Sequence, residues 1–226
     1  MNDIQQGAPV QTEGKTDLAD TLLFIAIKYK TALIGALVAV VLIGGGTFFW
    51  IQNQQKRENE AAMELSRIAP YLDQGIYATA INGEGKTPGL KKIAADYSGT
   101  PSGNMASLLL ANAWYATGNL DSALKAYKAV SIGNKDLAAT ALAGAGACLV
   151  EKNQLGEAAK SYHDASEKAE SRALKSLYLA REANCYRQSN QLAKAAGLYK
   201  NIVDNYPVTQ GAAIAQQSLW QISGKL

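Results

Sequence analysis

One short motif, Gly83-Glu84-Gly85-Lys86-Thr87, has the residue types of a phosphate-binding loop. In such loops backbone N–H groups and a lysine hold the phosphates, and the loop connects a strand directly to a helix. A phosphate-binding loop would also need a glycine at the position that Ala80 occupies. In addition, Pro88-Gly89 would interrupt the start of a helix directly after the motif. The sequence therefore predicts a polar turn between helices at this point, and nucleotide binding is rejected.

The residues that could supply a nucleophile or a metal ligand are few. The chain has one histidine and two cysteines, so a histidine-based triad or metal site would depend entirely on His163. Nothing near His163 completes such a site, and it is predicted to be a solvated surface residue. Glu167 and Glu170 lie on a helical face without a partner motif, which indicates a solvated face rather than an acid–base pair.

Cys148 and Cys185 occupy equivalent positions on successive predicted helices. Neighbouring helix axes are about 8–10 Å apart, which is too far for a comfortable disulfide. We therefore predict two buried, free thiols. We expect no catalytic residue, metal site or cofactor, and we predict that the protein is not an enzyme.

The composition places these residues in an ordinary folded chain. It has 226 residues, 48% hydrophobic and 18% charged, with a formal net charge of +3. This length allows one domain and a smaller part, and the charge gives no reason to expect a nucleic-acid partner. Nothing in the sequence predicts a small-molecule substrate.

Residues 31–51 carry no charged side chain. As a helix they would extend about 31 Å, which matches the hydrocarbon core of a bilayer. A cleaved signal peptide would have a shorter apolar run and a small-residue cleavage site, and a buried soluble helix would have a polar face. We predict a disordered head at 1–17, an amphipathic interfacial helix at 18–30, a transmembrane helix at 31–51 and a folded domain at 52–226.

Two questions about the predicted anchor remain open at this stage. Gly35 and Ala39 have the four-residue spacing of a contact between membrane helices, although small residues can equally face lipid. Basic residues are balanced on the two sides of the anchor, so the positive-inside rule does not decide its orientation.

Internal repeats organise the folded domain. The segments GNLDSALKAYKAV, NQLGEAAKSYHDA and NQLAKAAGLYKNI align without gaps from Gly118, Asn153 and Asn190. This pattern resembles the tetratricopeptide repeat, a pair of helices in about 34 residues. It predicts an all-α solenoid after a single transmembrane helix. The predicted units are about 58–103, 104–138, 139–175 and 176–209, with a capping helix at 210–223.

In tetratricopeptide arrays the first helix of each repeat lines a concave groove that binds segments of partner proteins. By alignment, the groove positions here are Met105, Leu108, Asn112, Tyr115, Thr140, Ala143, Ala147, Leu177, Ala180, Asn184 and Arg187. Some such arrays clamp a peptide's terminal carboxylate with basic residues. Leu108 and Ala143 stand where lysines would be expected, so that clamp is not carried over.

The order of the parts resembles the ancillary SecYEG translocon subunit family, whose repeat domain is shared with a cell-division coordinator. The resemblance covers about 18–226 and is sharpest over 76–127, which includes YATAINGEGKTPGLKKIAADY. It implies a bacterial inner-membrane protein with a cytoplasmic N-terminus and periplasmic repeats. Its implied partners are translocon components and exported polypeptides, for which it would be a chaperone or adaptor. The alternative is a scaffold or assembly subunit of another inner-membrane complex.

Overall fold

The computed structural model describes residues 18–225, and the predicted disordered head at 1–17 lies outside them. Within this range the chain forms eleven α-helices and one short hairpin. It divides into two compact units, one ending at Asn53 and the other beginning at Gln54. The fold is all-α, as the sequence predicts.

The first unit contains helix α1 (Leu18–Lys28) and the first part of α2 (Lys30–Asp73). Among the described residues, α2 is the helix long and apolar enough to span a membrane, judged by length and composition. Its apolar side chains are exposed rather than packed in a core, among them Leu37, Val41 and Phe49. These features make α2 a candidate membrane span.

The second part of α2 packs on the folded domain through Ala61 and Ile68, which are fully buried. Close by, the Glu58 carboxylate accepts hydrogen bonds from the Ser102 N–H at 2.9 Å and from the Ser102 hydroxyl at 2.6 Å. Since this carboxylate binds an N–H group in the first turn of the next long helix, it stabilises that turn.

Helix α3 (Tyr77–Asn82) and helix α4 (Leu90–Asp96) flank a hairpin of β1 (Gly83–Glu84) and β2 (Thr87–Pro88). The sequence predicted a polar turn between helices here, and in the structure this connection contains two short strands that pair antiparallel. Gly83 has a φ of +86°, and a Cβ there would collide with the Thr87 carbonyl oxygen. Gly83 thus allows a tight backbone crossing that a side chain would prevent.

Three helix pairs and a final helix follow. They are α5 (Pro101–Ala116), α6 (Leu120–Ala129), α7 (Lys135–Glu151), α8 (Leu155–Lys168), α9 (Arg172–Gln188), α10 (Leu192–Asn205) and α11 (Gln210–Ile222), with a 3-10 turn at Ser223–Lys225. We call the first helix of each pair (α5, α7, α9) the A helix and the second (α6, α8, α10) the B helix.

The A helices begin three or four residues before the predicted repeat boundaries. Their first turns are capped by Thr100, Asn134 and Ser171, whose side chains each accept a hydrogen bond from a backbone N–H. Such capping side chains fix where a helix starts because they satisfy N–H groups that have no intrahelical partner.

Small residues bring the helices close together. The alanines at the aligned positions of the A and B helices are fully buried: Ala111, Ala123, Ala158, Ala183 and Ala195. A Cβ on Gly146 would stand 3.1 Å from the Tyr162 ring. The helices therefore pack at distances that larger side chains would prevent.

Candidate functional site

Three of the predicted groove positions do not face a groove. Leu108, Ala143 and Ala180 are buried, and they pack within the clusters that join successive helix pairs. The cause is the dense contact between neighbouring A and B helices, which buries one face of every A helix. The remaining predicted positions are partly or fully exposed: Met105, Asn112, Tyr115, Thr140, Ala147, Leu177, Asn184 and Arg187.

Tyr115, Ala147 and Asn184 come together around one concave space of about 230 Å³. Each comes from a different A helix, so three successive repeats contribute to it. The other residues that line this space are Val150, Glu151, Tyr162, Arg181, Cys185 and Gln188. We call it the central opening.

Other predicted positions lie apart from the central opening. Met105 borders a separate cavity of about 370 Å³ with Ile132 and Leu137. The Thr140 and Tyr178 hydroxyls form a hydrogen bond of 3.1 Å between α7 and α9. The predicted groove is thus divided, and only part of it converges on one space.

Two equivalent pairs of side chains link A and B helices within a repeat. The Tyr127 hydroxyl donates to Asn112 Oδ1 at 2.6 Å, and the Tyr199 hydroxyl donates to Asn184 Oδ1 at 2.7 Å. In the middle repeat Tyr162 has Ala147 at the equivalent position, which offers no acceptor. The Tyr162 side chain borders the central opening instead.

Burial and nearby charges set the pKa values of the tyrosines that line the central opening. Burial raises the pKa of Tyr162 to about 12, although the nearby Arg181 opposes the shift. Burial, followed by the Glu151 carboxylate, raises the pKa of Tyr115. Both phenols are therefore protonated at neutral pH and can donate hydrogen bonds. The Arg181 guanidinium carbon lies 5.9 Å from the centroid of the Tyr162 ring, which is within cation–π distance.

Residues 27–222 match the model of a family described as a tetratricopeptide repeat-like domain. The chain belongs to the tetratricopeptide repeat-like family. No match was found among curated proteins. Domains of this tetratricopeptide repeat-like kind are typically non-catalytic modules for protein–protein interaction.

His163, which the sequence predicted to be a surface residue, is half exposed and contacts a buried carboxylate of the next helix. Its side chain is 54% exposed, and its Nδ1 lies 3.2 Å from Oε2 of Glu182. Tyr186 donates to Oε1 of Glu182 at 3.3 Å. Burial raises the pKa of Glu182, and His163 opposes this shift. The arrangement joins α8 to α9.

Sequence reasoning did not assign Glu182, Tyr162 or Arg181 to a functional site. A signal for Glu182 was present, because it is a charged residue at a position where the preceding repeats have Leu110 and Ala145. A signal for Tyr162 was the alanine at position 147, where the aligned residue of the other repeats is asparagine.

The cysteines of the tetratricopeptide repeat-like domain are both buried and free. Burial raises the pKa of Cys148 and of Cys185 to about 11. A protonated, shielded thiol is a poor nucleophile. Within residues 18–225 no group of three or more His, Cys, Asp or Glu side chains is arranged to hold a metal ion.

The glycine-rich hairpin borders a cavity of about 490 Å³. Glu64, Glu84 and Asp96 contribute carboxylates to its lining, and Asp96 already pairs with Lys92 at 2.6 Å. Lys86 and Lys92 also line this cavity, so its three carboxylates outnumber its two ammonium groups and the net charge does not favour a phosphate group. The central opening, with its protonated phenols and Arg181, is the better candidate site.

Proposed function

We propose that this chain is a single-pass membrane protein whose repeat domain holds segments of other proteins. In this proposal it acts as a chaperone or adaptor for exported polypeptides at a translocon of the bacterial inner membrane. Its N-terminus is cytoplasmic and its repeats are periplasmic. Met105, Tyr115, Ala147, Leu177, Asn184 and Arg187 belong to the proposed binding surface.

The observation that carries the proposal is the convergence of Tyr115, Ala147 and Asn184 on the central opening. Repeat arrays hold partner segments on concave surfaces to which successive repeats contribute, and the central opening is part of such a surface. Phenols and an arginine are also the side chains most enriched at protein–protein interfaces. Family membership supports the same class of function.

The membrane part of the proposal is supported by the first section of α2. Its length and apolar composition suit a bilayer. Its large apolar side chains are exposed instead of packed in a core. The orientation and the translocon come from the resemblance in the order of parts, because the flanking charges are balanced.

Site-specific photo-crosslinking in cells tests this function. A photoreactive amino acid at Tyr115 is expected to capture translocon components and exported polypeptides during their passage. Lys128 on α6 is exposed and lies outside the central opening, so the same probe there is the control. Recovery of neither class of protein at Tyr115 would contradict the proposal.

A further inference from the structure

The middle repeat departs from its neighbours at one position. Asn112 and Asn184 each accept a hydrogen bond from a tyrosine hydroxyl of the following B helix, and the third tyrosine has Ala147 instead. Replacing an amide with a methyl group both removes the acceptor and leaves room. The central opening lies at this position, with Ala147 and Tyr162 in its lining.

Most of the polar side chains that line the central opening can donate hydrogen bonds. Asn184 Oδ1 is occupied by the Tyr199 hydroxyl, so its amide NH₂ is the group left for a ligand. Tyr115 and Tyr162 contribute hydroxyls and Arg181 contributes a guanidinium. Glu151 is the one carboxylate among these lining residues, and both Glu151 and Arg181 are exposed, so the lining carries one negative and one positive side chain.

The volume of the central opening limits the size of the ligand that it can hold. Its volume is about 230 Å³, and pockets for drug-sized molecules usually start at about 300 Å³. The space is therefore better matched to one side chain of a longer partner than to a free small molecule. A partner carboxylate complements this lining because it can accept several hydrogen bonds and can pair with the Arg181 guanidinium.

We propose that the central opening is a subsite for an aspartate or glutamate side chain within an extended segment of a partner protein. Tyr162 and Arg181 bind the carboxylate, and Ala147 provides the room for it. This inference rests on the proposed function, because it names the chemistry of the partner that the repeat domain holds.

A peptide library tests the subsite with the full-length protein in detergent. Nine-residue peptides with acetylated N-termini and amidated C-termini are pooled so that each pool fixes one central residue. The amidated ends remove the terminal carboxylate as a competing ligand. Binding of the fluorescent pools is followed by anisotropy, and the Glu and Asp pools should bind about tenfold more tightly than the Gln and Asn pools.

Ala147→Asn is the decisive variant, because it installs the amide that the other two repeats already carry. The new amide should occupy the space beside Tyr162 and engage its hydroxyl, and the preference for acidic pools should disappear. Ala193→Asn is the matched control, since Ala193 is exposed on α10 and lies outside the opening. The preference should survive in this control.

Arg181→Gln provides a second variant that does not depend on how the fold accommodates a larger side chain at position 147. Arg181 is exposed, so its replacement should leave the helices intact while it reduces the acidic preference about tenfold. Glu151→Gln should strengthen binding of the acidic pools, because it removes a like charge from the rim.

The outcomes separate the two proposals. If the wild-type protein binds none of the pools, the proposed interaction function fails and the subsite fails with it. If the wild-type protein binds the pools without preferring Glu or Asp, or if Ala147→Asn keeps the preference, the subsite is overturned while the interaction function stands.

Discussion

The Tyr127 hydroxyl donates to Asn112 Oδ1 at 2.6 Å, and this bond fixes a B helix against the A helix of its own repeat. A bond of the same kind, also fifteen residues apart in sequence, joins Tyr199 to Asn184. It is missing at Tyr162, because the aligned residue is Ala147. The array therefore contains two closed versions and one open version of the same contact.

Removing the tyrosine hydroxyls should distinguish the closed contacts from the open one. Tyr127→Phe and Tyr199→Phe should each lower the free energy of unfolding by about 1 kcal/mol, since each loses an intramolecular hydrogen bond. Tyr162→Phe should cost less, because its hydroxyl has no such asparagine partner. Urea unfolding followed by circular dichroism measures the difference, and equal losses in all three variants would contradict it.

Gly211 on the final helix should tolerate no side chain. A Cβ there would collide with the backbone of Ser176 on α9, so Gly211→Ala should destabilise the protein by about 1–3 kcal/mol. Gly197→Ala on α10 is the matched control, because a Cβ there meets no atom within 4 Å. Alanine at a free helical position should stabilise by up to about 1 kcal/mol, which thermal unfolding of both variants would show.

The two thiols should react slowly in the folded protein. Burial holds the pKa of each near 11, against about 8.5 for an exposed cysteine. At pH 8 iodoacetamide should label Cys148 and Cys185 at least about a hundredfold more slowly than it does in urea. Mass spectrometry measures the labelling, and rapid native modification of either thiol would count against this account.

The same pKa values predict how stability depends on pH. The folded pKa lies above the unfolded one, so this contribution is fully present below about pH 8.5 and is lost as the pH rises towards 11. The Cys148→Ala and Cys185→Ala double variant should therefore lose less stability than the wild-type protein between pH 8 and 10. An equal loss of stability in the variant and the wild-type protein would contradict the link between thiol burial and the pH dependence of stability.

The small residues of the predicted anchor offer a test of the scaffold alternative. Around Gly35 no atom lies within 4 Å of where a Cβ would be, so leucine fits at this position without an internal collision. If Gly35 and Ala39 contact another membrane helix, Gly35→Leu or Ala39→Leu should abolish co-purification with a membrane complex. Unchanged co-purification in mild detergent would remove this role, and Leu37→Ala serves as the control.

The helix pairs were predictable because their alanines, leucines and tyrosines recur at fixed spacings. The exact residue at which each A helix starts depends on a single capping side chain: Thr100, Asn134 or Ser171. The repeat boundaries were instead placed from the spacing of the aligned residues, so they lie a few residues too late. The aligned repeats placed Tyr115, Ala147 and Asn184 on one surface, and the structure brings them to one opening.

The rest of the site was harder to predict for a geometric reason. Successive residues of a helix are about 100° apart in direction, so a small error in helix rotation turns a groove residue into a core residue. Leu108, Ala143 and Ala180 are such cases. Tyr162 and Arg181 were missed because one lies on a B helix and the other adjoins a position that alignment assigned to the groove.

Because the thiols are buried only in the folded protein, the rate of folding determines how long they can be oxidised. Cys148 and Cys185 are shielded by helices from their own and adjoining repeats, so neither is protected until those helices have packed. In oxidising surroundings, helix packing therefore competes kinetically with thiol oxidation in a newly made chain. Mutations that slow packing would then leave a population of covalently trapped chains, even when the finished fold is as stable as before.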